Sequence, residues 1–416
     1  MRSLLSSFAI SFLFVSPTFG QVPYRGLPVA LDDADPPTIS IPGEAIPGTE
    51  GIVIGDGVVL DDFDLRGAAL SGVANASLRG TNLLRADLWD LPSGDFTGAN
   101  LEGAVLSGDL SQGDFTGANF ADAILRGNSV FDAARFHEAN FMGASISGRY
   151  LHASFRNASF TSGTRLNGSF AGADFAGVDF EHSTMEGSFQ HAVFHGADLT
   201  GASFVRQLRG VDAYLGADFS EANLSGLRIS QAGFANASFR GANLSDVFFD
   251  NDVRFFGNDF RQANFKNARF KGSDLAFADV RQVDFTTMSG PEIGLVGAKY
   301  DQFTIFPWTD FDPVAAGMEF VPARHGDTNL DDELSFEDFF VLSNNFGARC
   351  EDDDLACWKR GDFNLDGAVG FTDFLLQANN FKTEHAVAVP APKTPRFILA
   401  WPLLAVAFQR SKREAK

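Results

Sequence analysis

Methionine, tyrosine, tryptophan and cysteine are all scarce in this chain of 416 residues: five, four, four and two, against 45 phenylalanines and 42 glycines. Two cysteines cannot build a disulfide-dense scaffold, and with no His beside them they do not form a tetrahedral zinc site. Cations are scarce too: 32 Lys and Arg stand against 53 Asp and Glu, a formal charge of -21. That balance argues against nucleic-acid binding, since phosphate contacts need Lys and Arg. The two apolar runs, residues 4–15 and 397–408, are shorter than the roughly 20 residues a bilayer span requires. No His-Glu-x-x-His, phosphate loop or nucleophile elbow occurs, so the sequence points away from an enzyme.

What is abundant is one large apolar residue placed repeatedly. Phe219, Leu224, Ile229, Phe234, Phe239, Leu244 and Phe249 stand five apart, and Phe260, Phe265, Phe270, Leu275, Val280 and Phe285 resume the count after an eleven-residue step. Earlier runs include Phe115, Phe120, Leu125, then Phe131, Phe136, Phe141, Ile146, and then Phe170, Phe175, Phe180, Met185. This period belongs to neither a helix nor a flat strand. Two positions before each large residue lies a small one, such as Ala217, Ala222 or Ala242, with a polar residue such as Asp218, Asn223 or Asn243 between them. In extended backbone the small and large residues share the inner face and the polar one points out. The other two positions turn a corner, so four sides close a square coil of about twenty residues, stacked at about 4.8 Å. His191 and His195, four apart, are out of register with such a ladder, and Asp residues along it read as outward polar groups.

The unit Ala-Asp/Asn-Leu/Phe-x-x resembles the pentapeptide-repeat family. The resemblance implies a mainly β fold, a right-handed quadrilateral β-helix over residues 51–290, with roughly eleven or twelve coils making a rod somewhat over 50 Å long. Slips such as Met185 to Phe194 and Phe249 to Phe260 are expected to be bulges or loops. Some members of the family mimic DNA and bind topoisomerases, a distant alternative for this chain because many Arg, including Arg240, Arg254, Arg261, Arg269 and Arg281, interrupt the acidity. Residues 291–324 leave the period and concentrate Phe303, Phe306, Trp308 and Phe311, as a cap over the last coil would.

Two segments 35 residues apart follow, GDTNLDDELSFEDFF and GDFNLDGAVGFTDFL. Asp327, Asn329, Asp331 and Asp338 match Asp362, Asn364, Asp366 and Asp373, side-chain oxygens at the first, third, fifth and twelfth positions of a calcium loop. Glu333 and Ala368 supply the seventh-position carbonyls, and Ser335 stands at the ninth position of the first loop. Two calcium ions are the expected cofactors. The region 325–383 holds thirteen acids and four bases, so much of the chain's acidity is ligand supply. The paired loops with Asp at the twelfth position resemble a dockerin, a small α-helical module that binds calcium and docks onto cohesins, typically in polysaccharide-degrading assemblies. Asp332 in place of Gly at the sixth position, and Phe336-Glu337 and Phe371-Thr372 where dockerins often carry hydroxyls, depart from that family.

Residues 1–20 have the composition of a secretory signal, or of a signal anchor, and imply export. In an oxidising compartment Cys350 and Cys357 are expected to pair. Residues 21–50, rich in Pro and Gly, read as a linker. The tail, 384–416, resembles a degenerate Pro-Glu-Pro sorting signal with transient membrane contact. The sequence thus describes an exported or cell-surface, non-catalytic bacterial scaffold whose partner, a protein or a surface polymer, it does not specify.

Overall fold

The computed structural model describes residues 38–40 and 55–384, apart from 162, 205–212, 231, 251–252, 273, 290–293, 307–310 and 352. The expected signal, the tail and most of the linker lie outside these residues. The chain divides into two compact units, Met1–Val321 and Pro322–Lys416.

The first unit is a parallel β-solenoid of four narrow faces. One face is a nine-stranded sheet: β1 (Thr38–Ser40), β2 (Ala69–Ser71), β3 (Asp87–Trp89), β4 (Val105–Ser107), β5 (Ile124–Leu125), β6 (Ser145–Arg149), β7 (Arg165–Ser169), β8 (Thr184–Met185) and β9 (Ser203–Phe204). From β2 onward neighbours are parallel, with Leu70, Leu88, Leu106, Leu125, Ile146, Leu166, Met185 and Phe204 in register. The run continues as β10 (Arg228–Ile229), β11 (Phe248–Phe249) and β12 (Arg269–Phe270). The other faces are ladders of single bridges, for example Ser77 to Asp95 to Asp114 to Arg135. Within the expected linker, Thr38–Ser40 forms an antiparallel edge on β2.

Most corners away from the variable one repeat a single device. The backbone N–H of the small residue bonds back to the carbonyl of the preceding large residue, as Ala222 does to Phe219 at 3.1 Å and Ala237 to Phe234 at 3.0 Å. The residue two after most of the large ones is left-handed, as at Gly226 with φ 71° and Asn236 with φ 54°, the signature of a turn that favours Gly and Asn. That requirement is why Gly or a short polar residue recurs there.

The large residues fill the interior in columns. Phe96, Phe115, Phe136, Phe155, Phe175, Phe194, Phe219, Phe239 and Phe260 stack face to face without a break, ring centroids 4.6 to 5.2 Å apart. All are fully or almost fully buried. Parallel in-register stacking puts each ring one interstrand spacing above the last, which an offset aromatic pair tolerates well. Outside the wall, the polar positions form a second ladder: Asn140 donates to Asn119, Asn119 to Asn100, Asn100 to Asn82 and Asn82 to Asp64, at 3.0 to 3.2 Å.

The register slips differ from the expectation. The gaps expected as interruptions contain further inward residues: Phe189 between Met185 and Phe194, and Phe255 between Phe249 and Phe260, both buried. The gaps at Leu70 to Val73, Leu88 to Leu91, Leu106 to Leu110, Leu125 to Phe131, Ile146 to Tyr150, Leu166 to Phe170, Met185 to Phe189, Phe204 to Tyr214 and Phe249 to Phe255 all fall at the same corner, following the strand face. Some of them are shortened rather than bulged. The other three corners keep the five-residue step almost throughout, so the ladders stay in register while one edge absorbs the variation. Nor does the pattern stop at 290: Leu295 is buried, and β13 (Lys299–Tyr300) pairs in parallel with β14 (Glu319–Phe320). Phe306 stacks on Phe285 at 5.9 Å and Phe311 packs tilted against Phe306 at 4.8 Å, so these two rings extend the Phe285 column. Trp308 lies outside the described residues.

The second unit holds α1 (Phe336–Asn345), α2 (Asp354–Arg360) and α3 (Phe371–Glu384). Among the described residues no helix is long and apolar enough to cross a membrane.

Candidate metal centre

The two acidic loops of the second unit share one hydrogen-bond pattern over their first seven positions. In the first, Asp327 accepts from the backbone N–H of Asp331 and of Asp332, Asn329 accepts from Asp331, and Asp331 accepts from Glu333, at 2.8 to 3.1 Å. In the second, Asp362 accepts from Asp366 and Gly367, Asn364 from Asp366, and Asp366 from Ala368, at 3.0 to 3.2 Å. These bonds wind the chain tightly enough to gather the first, third and fifth side chains. The sixth positions, Asp332 and Gly367, are both left-handed, at φ 72° and 83°, so Asp332 takes up the backbone that glycine adopts more readily. Leu330 and Leu365 are left-handed as well, a matched strain at the fourth positions.

The twelfth-position carboxylates close each loop. Asp338 accepts from the N–H and hydroxyl of Thr328 on one oxygen, and from the N–H and hydroxyl of Ser335 on the other. Asp373 accepts from the N–H groups of Phe363 and Asn364, and from that of Gly370. Ser335 therefore serves as the N-cap of α1, its hydroxyl also accepting from the Glu337 N–H. Among the described residues no three His, Cys, Asp or Glu side chains stand arranged to grip an ion by themselves. A hard cation here would also draw on Asn329 or Asn364 and on the carbonyls of Glu333 or Ala368.

The electrostatics of the loops suit such a guest. Burial pushes the Asp327 carboxyl up to about 6, and the neighbouring charges of Asp338 and Asp331 add to the rise. Asp362 is raised for the same reasons, burial first and then Asp373 and Asp366. Carboxylates crowded in this way repel one another unless protonated or bridged by a cation. The donor set, all oxygen and mostly carboxylate and carbonyl, matches calcium rather than a softer metal.

Two supports were not legible beforehand. The short helix α2 starts at the N-cap Asp353 and ends at left-handed Gly361. It carries Trp358, almost fully buried, whose indole N–H donates to the Asp327 carbonyl at 2.9 Å. Gln377 on α3 donates to the Gly326 carbonyl at 2.9 Å. Helices α2 and α3 thus pin the start of the first loop. Cys350 and Cys357 are joined, with Cα atoms 5.6 Å apart. Residues 347–350 also run along the second loop, with Gly347 bonded to the Val369 carbonyl and Cys350 to that of Gly367.

The pentapeptide-repeat profile matches this chain in eight copies, over residues 114–148, 169–206, 217–251 and 251–286. Among solved structures, it is similar to HetL, a pentapeptide repeat protein involved in heterocyst differentiation regulation from the cyanobacterium Nostoc sp. strain PCC 7120. The identity is 26%, over 52% of this chain and 88% of that one, with a TM-score of 0.25. A pentapeptide repeat protein from the Arabidopsis thaliana thylakoid lumen is 27% identical over 25% of this chain and 65% of its own, TM-score 0.14. Full-length QnrB1, a plasmid-mediated fluoroquinolone resistance protein, is 18% identical over 60% of this chain and 92% of its own, TM-score 0.16. No curated protein matches the sequence significantly. The matched segments fall wholly on the faces that carry the stacked rings and polar ladders, so these stretches of the β-solenoid carry pentapeptide repeats.

Proposed function

We propose that this chain is an exported, non-catalytic bacterial scaffold: a rigid rod that presents long flat faces, joined to a module that binds two calcium ions. The observation that carries the calcium reading is the hydrogen-bond pattern that the two loops share over their first seven positions, each gathering Asp, Asn and Asp at alternate positions. Asp327, Asn329, Asp331, Asp338 and the Glu333 carbonyl would hold one ion. Asp362, Asn364, Asp366, Asp373 and the Ala368 carbonyl would hold the other, with water completing each shell. Asp338 and Asp373 would then share their oxygens between the ion and the backbone donors they already accept from. The ions would neutralise the crowded carboxylates and so couple binding to the stability of the module.

Calorimetric titration of the whole chain with calcium tests this reading. Two sites filling in succession are expected, each abolished separately by Asp331→Ala or Asp366→Ala. Absence of heat at millimolar calcium refutes it.

A second reading, docking of this module onto a cohesin, draws support from matched exposed apolar residues on the two exit helices. Phe336 and Phe340 on α1 correspond to Phe371 and Leu375 on α3, each 44 to 55% exposed. Calcium-dependent capture by cohesins, lost in chelator, would make the chain an accessory of a polysaccharide-degrading assembly. No nucleic-acid partner is proposed, and the tail is assigned only transient membrane contact.

A further inference from the structure

A shallow pocket of about 600 Å³ lies on the strand face of the rod, lined by Arg228, Asp246, Phe248, Asn267, Arg269, Thr287 and Ser289. Its floor is one outward column: Arg228 pairs with Phe248, Phe248 with Arg269 and Arg269 with Ser289, one residue per turn. Its wall is the adjacent corner, where Asn267 donates its amide to Asp246 at 3.1 Å and its backbone N–H to the Thr287 hydroxyl at 3.0 Å.

The two arginines differ. Arg228 lies over the Phe248 ring at 4.7 Å and pairs with Asp250 at 2.9 Å, while Lys271 takes the other oxygen of Asp250 at 3.5 Å. Arg269 is exposed and makes no ion pair among the described residues. Elsewhere on the same rod Arg135, Arg149, Arg156, Arg261 and Arg281 each hold an Asp at 2.5 to 2.7 Å. An arginine left without a carboxylate, in a chain of net charge -21, is a cation available to a ligand.

From this geometry we infer that the pocket binds a linear acidic polysaccharide, a chain of uronate sugars lying along the rod axis. Each component has a use for that ligand. An aromatic ring offers a platform for the apolar C–H face of a pyranose. Arginine matches a carboxylate with two parallel N–H donors. Asp246, Asn267, Thr287 and Ser289 offer acceptors and donors for sugar hydroxyls. The column also repeats at the interstrand spacing of about 4.8 Å, close to the length of one sugar unit, so Phe248 and Arg269 address successive units, while Arg228, held by Asp250, backs the Phe248 ring. Non-specific attraction does not explain such binding, because the whole-chain charge repels polyanions.

The inference deepens the reading of the rod as a presenting surface, but does not depend on the calcium loops, so the test is run in chelator. The full chain is run on native gels containing polygalacturonate, neutral dextran or dextran sulfate, with EDTA throughout. Retardation by polygalacturonate alone is expected. Arg269→Gln and Phe248→Ala should each weaken it at least tenfold, with unchanged circular dichroism melting. Arg135→Gln, on another face and paired with Asp114, should leave it unchanged. No retardation of the parent chain overturns the inference, as does equal loss with Arg135→Gln or no loss with Arg269→Gln. Equal retention by dextran sulfate assigns the pocket to bare charge and overturns the uronate reading. The calcium titration described above fails or succeeds independently of any of these results.

Discussion

Replacing Phe155 by alanine tests the architecture at its centre. Phe155 is fully buried, stacked between Phe136 and Phe175 at 4.7 Å on either side. It also meets Phe141, Tyr150, Phe160 and Phe170 at 5.5 to 6.2 Å. Its removal opens a cavity that flanking rings, locked by their own strands, cannot close. The expected cost is therefore in the upper part of the usual range for Phe→Ala, about 4 kcal/mol. In a solenoid each turn contacts only its neighbours, so the defect also weakens the coupling between the two halves of the rod. Urea denaturation followed by circular dichroism should show a lower midpoint and a broadened or split transition. The control is Phe277→Ala: this ring is 54% exposed and sits on a left-handed corner at φ 60°, so its loss should change stability by less than about 0.5 kcal/mol. If Phe155→Ala costs less than about 1 kcal/mol, or no more than Phe277→Ala, the stacked column is not what holds the rod.

Other outcomes are accessible to the same equipment. Asn119→Ala removes two rungs of the amide ladder and the bond from Ala121 N–H to the Asn119 side chain, and should lower rod stability by about 1–2 kcal/mol in the same denaturation assay. In calcium-free buffer, Asp327 with its carboxyl near 6 rather than the usual 3.8 binds its proton more tightly in the folded state. The stability this contributes is complete below pH 3.8 and is lost as the pH rises through 6. It is worth at most ~3 kcal/mol, and less where water screens the loop. Calorimetric scans should thus show the calcium-free second unit melting higher at pH 5 than at pH 7, with calcium reversing the order. Reduction of Cys350–Cys357 should lower the melting temperature of the second unit by an amount equivalent to about 2 kcal/mol, given the short loop it closes.

The rod was legible because its signal is periodic and its demand is geometric: only a five-step repeat puts Phe219, Leu224, Ile229 and Phe234 on four walls of one turn. The variable corner was not legible, because Phe189 and Phe255 fall at four and six steps and look like interruptions when counted along the chain. Their place is fixed by the turns above and below, a contact some twenty residues away. Likewise Tyr150 and Tyr214 stand in a column of Phe rings, at 4.8 Å from Phe170 and 4.9 Å from Phe234. In the second unit the alternating Asp and Asn positions were readable, since loop chemistry is local. Helix α2 was not, because seven residues carry too little periodicity, and Trp358 reveals its role only through the carbonyl of Asp327, 31 residues earlier.

The concentration of length variation along one edge has a consequence for how such a rod changes over time. Insertions at that seam leave the polar ladders and ring columns of the remaining walls untouched, so a lineage can lengthen, trim or decorate one side of the molecule turn by turn. The rod then behaves as a spine with one writable margin, where new surface features arise without renegotiating the interior.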